Sequence, residues 1–280
     1  MSVAESGRSV AGRREEVGTQ SIQRAVQIIN LVASYSVEGL RLVDIADMLE
    51  LSRPTAHRII QSLVAAGWLM RPQKSRRYLL GHGLFELGLT AAPQFKLREL
   101  CQPSLNRIAR RTGHIAFLTI RSGRDAISIA RSSGRHVELI PLQIGVHRPL
   151  GIGAGSLALL MSLPDVEVEQ IVLSNARRLS TFADVNTRML LECVRVCRLQ
   201  GFASHDERLL KGVSGVAVPL RDSGGLILGA LSISALLPRI QPEDLYEIVA
   251  KLRKEALIVQ GLLLTDVGYA SERVRLLARP

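Results

Sequence analysis

One stretch of this sequence gathers cations and short polar side chains with no acid among them. Arg53, Arg58, Arg71, Lys74, Arg76 and Arg77 all lie between Glu50 and Glu86, and no Asp or Glu does. Solvated faces ordinarily mix signs, so a one-sign stretch of this length suits a polyanion. Its opening, Ser52-Arg53-Pro54-Thr55-Ala56-His57-Arg58, has Ser52 as an N-cap and Pro54 in the first turn, where a missing N–H costs nothing. Arg53, Thr55, His57 and Arg58 then sit on or beside the first turns of a helix, where a groove-reading helix carries its base and phosphate contacts. Arg53 is the first choice for base reading, because a guanidinium bonds guanine O6 and N7 together; His57 is the second. Ser52, Thr55 and Arg58 suit phosphates. Arg71, Lys74, Arg76 and Arg77 would track the backbone, one of them able to enter the minor groove.

Such residues need a scaffold. Ser21 can cap a helix whose apolar positions Ile22, Ala25, Val26, Ile29 and Val32 or Ala33 recur at helical spacing. A second helix, Val43 to Leu49, buries Ile45, Ala46 and Leu49; Ala46 is small enough for a close crossing, and Leu51 plugs the turn. The third, Arg53 to Ala66, buries Ala56, Ile59, Ile60, Leu63 and Val64 and ends at Gly67. Trp68 to Met70 and Tyr78 to Leu80 read as two strands around a basic turn. Three helices and a hairpin make a winged helix-turn-helix. The alternative, a helical hairpin that only packs, leaves the cap, the plug, the basic loop and the missing acids unexplained together.

Around this unit the chain divides readily. Residues 1–20 are rich in Ser, Gly, Arg and Glu and read as a disordered arm. The DNA-binding unit spans 21–82, a linker helix with apolar Leu84, Phe85, Leu87 and Leu89 spans 83–95 and suits dimer contacts, a second domain spans 96–266, and 267–280 is a tail. The second domain opens with a helix from Lys96 to Arg111. Strands follow at His114 to Arg121, Ala126 to Ala130 and Val137 to Ile144, then helices near Gly153 to Ser162, Asp165 to Leu173 and Asn186 to Gln200. Strands return at Phe202 to Ser204, Gly215 to Leu220 and Leu226 to Ser234, before a last helix from Pro242 to Leu264. Hairpin strands with grouped helices imply an α+β fold with an antiparallel sheet, as in small-ligand sensor domains.

The bulk properties agree. A chain of 280 residues, 47% hydrophobic and 4% aromatic, can form two aliphatic cores, and a net charge of +11 favours an acidic partner. Cys101, Cys193 and Cys197 form neither a disulfide framework nor a metal motif; the last two, four apart on a helix, suit small buried apolar positions. No apolar leader or span is evident, the run Leu226 to Leu237 being too short, which implies the cytoplasm. The six histidines are scattered, and there is no paired-ligand spacing, nucleophile elbow or complete dinucleotide loop, so neither enzyme, metal nor cofactor is expected. Single-stranded RNA is disfavoured because Trp68 and Tyr78 read as hairpin core rather than stacking platforms.

A ligand site in the second domain is suggested by Gly151-Ile152-Gly153-Ala154-Gly155-Ser156 ahead of a helical run, since backbone N–H groups there can approach an anion. The same glycines could equally serve tight helix packing. Leu231-Ser232-Ile233-Ser234 puts two hydroxyls on one strand face, which by itself is an ordinary polar face.

The chain resembles the IclR family of bacterial transcriptional regulators from roughly Ser21 to Leu264. The resemblance rests on Ser21 to Ala25, Leu51 to Arg58, Arg77 to Gly81, Arg148-Pro149-Leu150, Leu163-Pro164, Gly201 to Glu207, Ala217-Val218-Pro219 with Asp222, and Leu231 to Ser234. It implies a DNA-binding dimer, often paired into tetramers, that binds palindromic operators and responds to small organic acids through a GAF-like domain. It also implies an effector site at Gly153, Ala154, Gly155, His205, Asp206, Gly215, Ser232 and Ser234. Three departures stand out: His205-Asp206-Glu207-Arg208 in place of paired acids, Gly215 in place of a common pocket Cys, and Gly151 and Leu157 in place of the His and Lys of the glycine loop. The resemblance and these departures imply a roomier or less acidic cavity and a bulkier acid, such as an aromatic catabolite.

Overall fold

The computed structural model describes residues 9–35, 38–92, 96–135, 143–182, 185–205, 209–237 and 240–265, and the chain divides into two compact units after Ala92. None of the described helices is long and apolar enough to cross a membrane.

In the first unit, α1 (Ser9–Ser34), β1 (Leu40–Arg41), α2 (Leu42–Met48), α3 (Arg53–Ala65), β2 (Leu69–Met70), β3 (Arg77–Leu80) and α4 (His82–Ala91) follow in order. One core holds the first three helices and the sheet together: Ile28 and Val32, Ile45 and Ala46, Ala56, Ile60 and Leu63, with Leu69 and Tyr78 from the strands. Ala46 and Leu51 take the expected places, Ala46 buried between α2 and α3 and Leu51 against the core, its N–H bonded to the Ala46 carbonyl at 2.8 Å. Two expectations need correction. The first helix begins at Ser9, so residues 9–20, read as a disordered arm, include its first turns; Arg13, Arg14, Glu15 and Glu16 favour helix enough to outweigh Gly12 and Gly18. The hairpin also has a third strand, since β1 pairs with β3 through Leu40 and Tyr78. A two-residue strand carries no periodicity to read.

Gly67 ends α3 at φ 71°, and its carbonyl lies so close to Gly81 that a Cβ there would stand 2.1 Å from the oxygen. The exit of the hairpin is thereby clamped to the end of α3. At the other side Arg41 grips Asp44 through Nε at 3.0 Å and Nη2 at 2.8 Å, and its guanidinium holds the Asp44 carboxyl down at about 2.

The second unit is built on one antiparallel sheet of order β6-β5-β4-β9-β8-β7. Its strands are β4 (Ile115–Ser122), β5 (Asp125–Ser132), β6 (His147–Pro149), β7 (Ala203–His205), β8 (Val213–Arg221) and β9 (Ile227–Leu236). Alternation along the strands gives the sheet two apolar faces. Ala116, Leu118, Val216, Val218, Leu231 and Ile233 meet α5 (Leu97–Thr112) and α10 (Leu245–Thr265). Ala126, Ala203, Ala217 and Ala230 meet α6 (Ala154–Leu160), α7 (Asp165–Ser174) and α9 (Thr187–Gln200); a short α8 (Ala176–Leu179) follows α7. The strand expected from Val137 to Ile144 falls mostly on residues outside the described ones, as does the tail; the edge on that side is β6 instead.

A buried carboxylate ties α5 to α10. The Glu255 side chain is 2% exposed and accepts from Arg107 Nη2 at 2.7 Å and Nε at 3.0 Å, with Arg111 3.7 Å away. Burial alone would raise its pKa; the bonds from Arg107 and Ser104 outweigh this and hold it below the ordinary value. A depressed carboxylate contributes stability that is present above its unfolded pKa and lost as pH falls through the folded value. Glu255→Gln should therefore destabilise the second unit by about 3 kcal/mol, read as a lower urea midpoint, and should flatten the loss of stability on acidification below about pH 4.

Candidate DNA-binding surface and ligand pocket

The helical period decides what α3 shows to solvent. Ala56, Ile59, Ile60 and Leu63 are buried, so Arg53, His57 and Gln61, four residues apart, form an outward stripe flanked by Arg58 and Ser62. The side chains of Arg53, His57, Arg58 and Gln61 make no hydrogen bond or ion pair with the described residues. Ser52 caps the helix as expected, in extended conformation, its hydroxyl donating to Thr55 Oγ1 at 2.8 Å and accepting from the Thr55 N–H at 3.4 Å. Ser52 and Thr55 thus shape the helix start, while Arg53 stands clear beside them. Gln61 was not singled out from the sequence; continuing the Arg53–His57 spacing by one more turn would have found it.

The hairpin separates its basic residues into two groups. Arg71, Lys74 and Arg76 are exposed in the loop between β2 and β3, where a turn is closed by the Ser75 N–H on the Pro72 carbonyl at 2.9 Å. Arg77 is committed elsewhere: its Nη1 donates to the Gly39 carbonyl at 2.9 Å, fastening β3 to the turn before β1. Its charge also helps to keep Asp44 ionised. A contact with a backbone phosphate would compete with that bond, so Arg77 is not equivalent to its neighbours.

In the second unit, the pocket residues expected from the sequence come together in part. Gly153, Ala154, Gly155, Ser232 and Ser234 line one cavity between α6 and the sheet, along with Phe117, Thr119 and Ser128. His205 and Gly215 stand beside it, since Gly215 pairs with His205 on one side and Ser234 on the other. Asp206 lies outside the described residues.

Thr119 and Ser128 were missed. A register shift between Leu118 and Thr119 sets Thr119 opposite Ser128, their hydroxyl oxygens 3.3 Å apart. A bulge of this kind re-aims side chains and leaves no mark in hydrophobic alternation. Arg131 was missed too: it pairs with Phe117 across β4 and β5, and its guanidinium carbon lies 5.9 Å from the ring centroid.

The cavity is not roomier than expected of a small-acid site. A Cβ at Gly215 would stand 2.9 Å from both His205 Nε2 and the Ala154 Cβ, so the imidazole and α6 fill the space the glycine leaves. About 20 Å3 remains, enough for one water. The two roles weighed for the glycines separate by position. Gly155 serves close packing, because a Cβ there would meet Thr119 Oγ1 at 2.6 Å and Ser232 Oγ at 3.2 Å, whereas a Cβ on Gly153 meets nothing within 4 Å. The Ser156 hydroxyl closes the loop by accepting from the Gly151 N–H at 2.7 Å.

Two family profiles match the chain: the IclR helix-turn-helix domain over residues 21–72 and the bacterial transcriptional regulator IclR C-terminal domain over residues 89–260. The chain is similar to the HTH-type transcriptional regulator XynR of Escherichia coli K12, 27% identical over 245 residues, or 87% of this chain and 97% of that one. Among solved structures it is similar to an IclR transcriptional regulator from Alicyclobacillus acidocaldarius, with a TM-score of 0.69, 22% identity and coverage of 86% and 98% of the two chains. It is also similar to an IclR homolog from Microbacterium hydrocarbonoxydans complexed with 4-hydroxybenzoate, with a TM-score of 0.65, 22% identity and coverage of 88% and 100%.

Because Gly155 is the point where α6 touches the sheet, Gly155→Ala should cost about 2 kcal/mol by overpacking. Denaturant unfolding of the full chain checks this, with Gly153→Ala as a comparison in which only the strain of φ 89° is tested.

Proposed function

The chain belongs to the IclR family of bacterial transcriptional regulators, and on that premise we propose that the outward stripe of α3 reads base edges in duplex operator DNA while the hairpin loop holds its phosphates. The observation that carries this reading is the Arg53–His57–Gln61 stripe, exposed and opposite a buried one, within a stretch that has no acid. Arg53 suits guanine and Gln61 adenine, each through paired hydrogen bonds. Arg58, Arg71, Lys74 and Arg76 suit phosphates, Ser52 and Thr55 do so only as the cap permits, and Arg77 serves mainly to brace the hairpin.

The protein acts as a dimer in this reading, in the cytoplasm where its operator is. Support comes from α4, which buries none of its residues while Phe85, Leu87 and Leu89 stand exposed. A second copy covering that surface would relate two reading helices by a two-fold axis and call for a palindromic site. Exposed Leu257 and Leu264 on α10 suit a further pairing of dimers into tetramers.

The small-molecule partner is a small organic acid, with an aromatic ring among the candidates, held under α6. The hydroxyls of Thr119, Ser128, Ser232 and Ser234 supply donors, and Arg131, outside the cavity wall but 5.9 Å over the ring of the lining residue Phe117, would reach in as a cation for the carboxylate. His205, beside the cavity, would adjust to the ring. The relative bound to 4-hydroxybenzoate supports this ligand class. Since the cavity has room for one water only, a ligand must displace α6 and its glycine loop, and it can bias DNA affinity only by its preference for the displaced arrangement.

On DNA selected from a random duplex pool, Arg53→Ala should relax preference at one base position per half-site, whereas Arg76→Ala should weaken all sequences and reduce the salt slope by about 1. Equal effects of both on every sequence would contradict the division of labour. For the ligand, Arg131→Gln should weaken an aromatic acid about tenfold by calorimetry and leave the affinity for the corresponding neutral amide unchanged.

A further inference from the structure

The second unit has a much larger cavity than the one under α6, and it lies elsewhere. A half-open cleft of about 420 Å3 runs along the open side of the edge strand β7, between α9 and the start of α10, within the size range of small-molecule sites. Its walls are chiefly apolar, with Met189, Val196, Leu237, Ile240 and Leu245 among them. One polar group there is conspicuous. Ser214 is 7% exposed, and its buried Oγ makes no hydrogen bond to any described residue. Water-like groups buried in apolar surroundings are unfavourable unless bonded, so this hydroxyl is suited to a partner that enters the cavity.

Charge restricts what that partner can be. No Lys or Arg is among the described residues lining the cavity, and its one acid, Glu192, is held by Arg195 at 2.6 Å. Among the described lining residues a carboxylate would find no Lys or Arg to pair with, and a cation would have to break an existing ion pair. We propose that this cavity is a second ligand site, distinct from the one under α6, for a neutral and mainly apolar molecule carrying one hydroxyl or carbonyl group that bonds Ser214 Oγ. His205 and Gly215 belong to its wall and also adjoin the α6 pocket through the Gly215–Ser234 pairing. An occupant therefore presses on the partition between the two sites.

The test uses the full chain and 2-naphthol as probe, titrated by its own fluorescence. One saturable site per chain is expected. Val196→Trp, a change at the partly exposed rim, should abolish binding, and Ser214→Ala should weaken it about fivefold. Ser232→Ala, in the α6 pocket, should leave it unchanged. A second readout does not depend on any variant folding. Cys193 lines the cavity and is partly exposed, whereas Cys101 and Cys197 are buried and burial pushes both thiols up, that of Cys101 to about 12. N-ethylmaleimide should therefore modify Cys193 first, and 2-naphthol should slow that modification. Absence of saturable binding, wild-type affinity in Val196→Trp, equal weakening by Ser232→Ala, or unchanged modification of Cys193 would each overturn the proposal.

Discussion

An α-helix can bury only one stripe of its surface, and in α3 the core claims that stripe completely. With Ala56, Ile60 and Leu63 turned inward against α1, α2 and the sheet, the rotation of the helix about its axis is fixed. The polar stripe then has no choice of direction. Ser52 sets where the helix starts, Gly67 sets where it stops, and the approach of Gly81 to Gly67 sets where the basic loop projects. Reading-helix geometry here follows from packing, and the charges only exploit it.

The second unit solves a different problem with similar means. Its sheet needs both faces covered, and α6 covers one of them at a point where Gly155 lets the helix come down on the Thr119 and Ser232 side chains. The same closeness squeezes the pocket to the size of a water, with five hydroxyl-bearing residues around it. Under the proposed reading, a ligand larger than a water enters this narrow site only as α6 moves.

Much of this was legible in the residues. The long periodic helices, the Ser52 cap, the Leu51 plug, the hairpin and the α+β class of the second unit could all be read, because each rests on a local rule. What escaped depends on register or on tertiary competition. The β1 strand is two residues long, Thr119 owes its place opposite Ser128 to a bulge, and Arg77 is drawn away from the basic loop by a carbonyl thirty-eight residues earlier. The fate of Gly215 is the clearest case. A missing side chain reads as added space, yet His205 and Ala154 take that space, and sequence spacing holds no information about which neighbour moves in.

Selection from a random duplex library at moderate ionic strength, using the intact protein with and without organic acids, tests the α3 surface most directly. Enrichment of a two-fold-symmetric sequence, with affinity falling steeply as salt rises, is what the α3 surface and its basic hairpin predict. Failure to enrich any double-stranded sequence under every one of those conditions would contradict it.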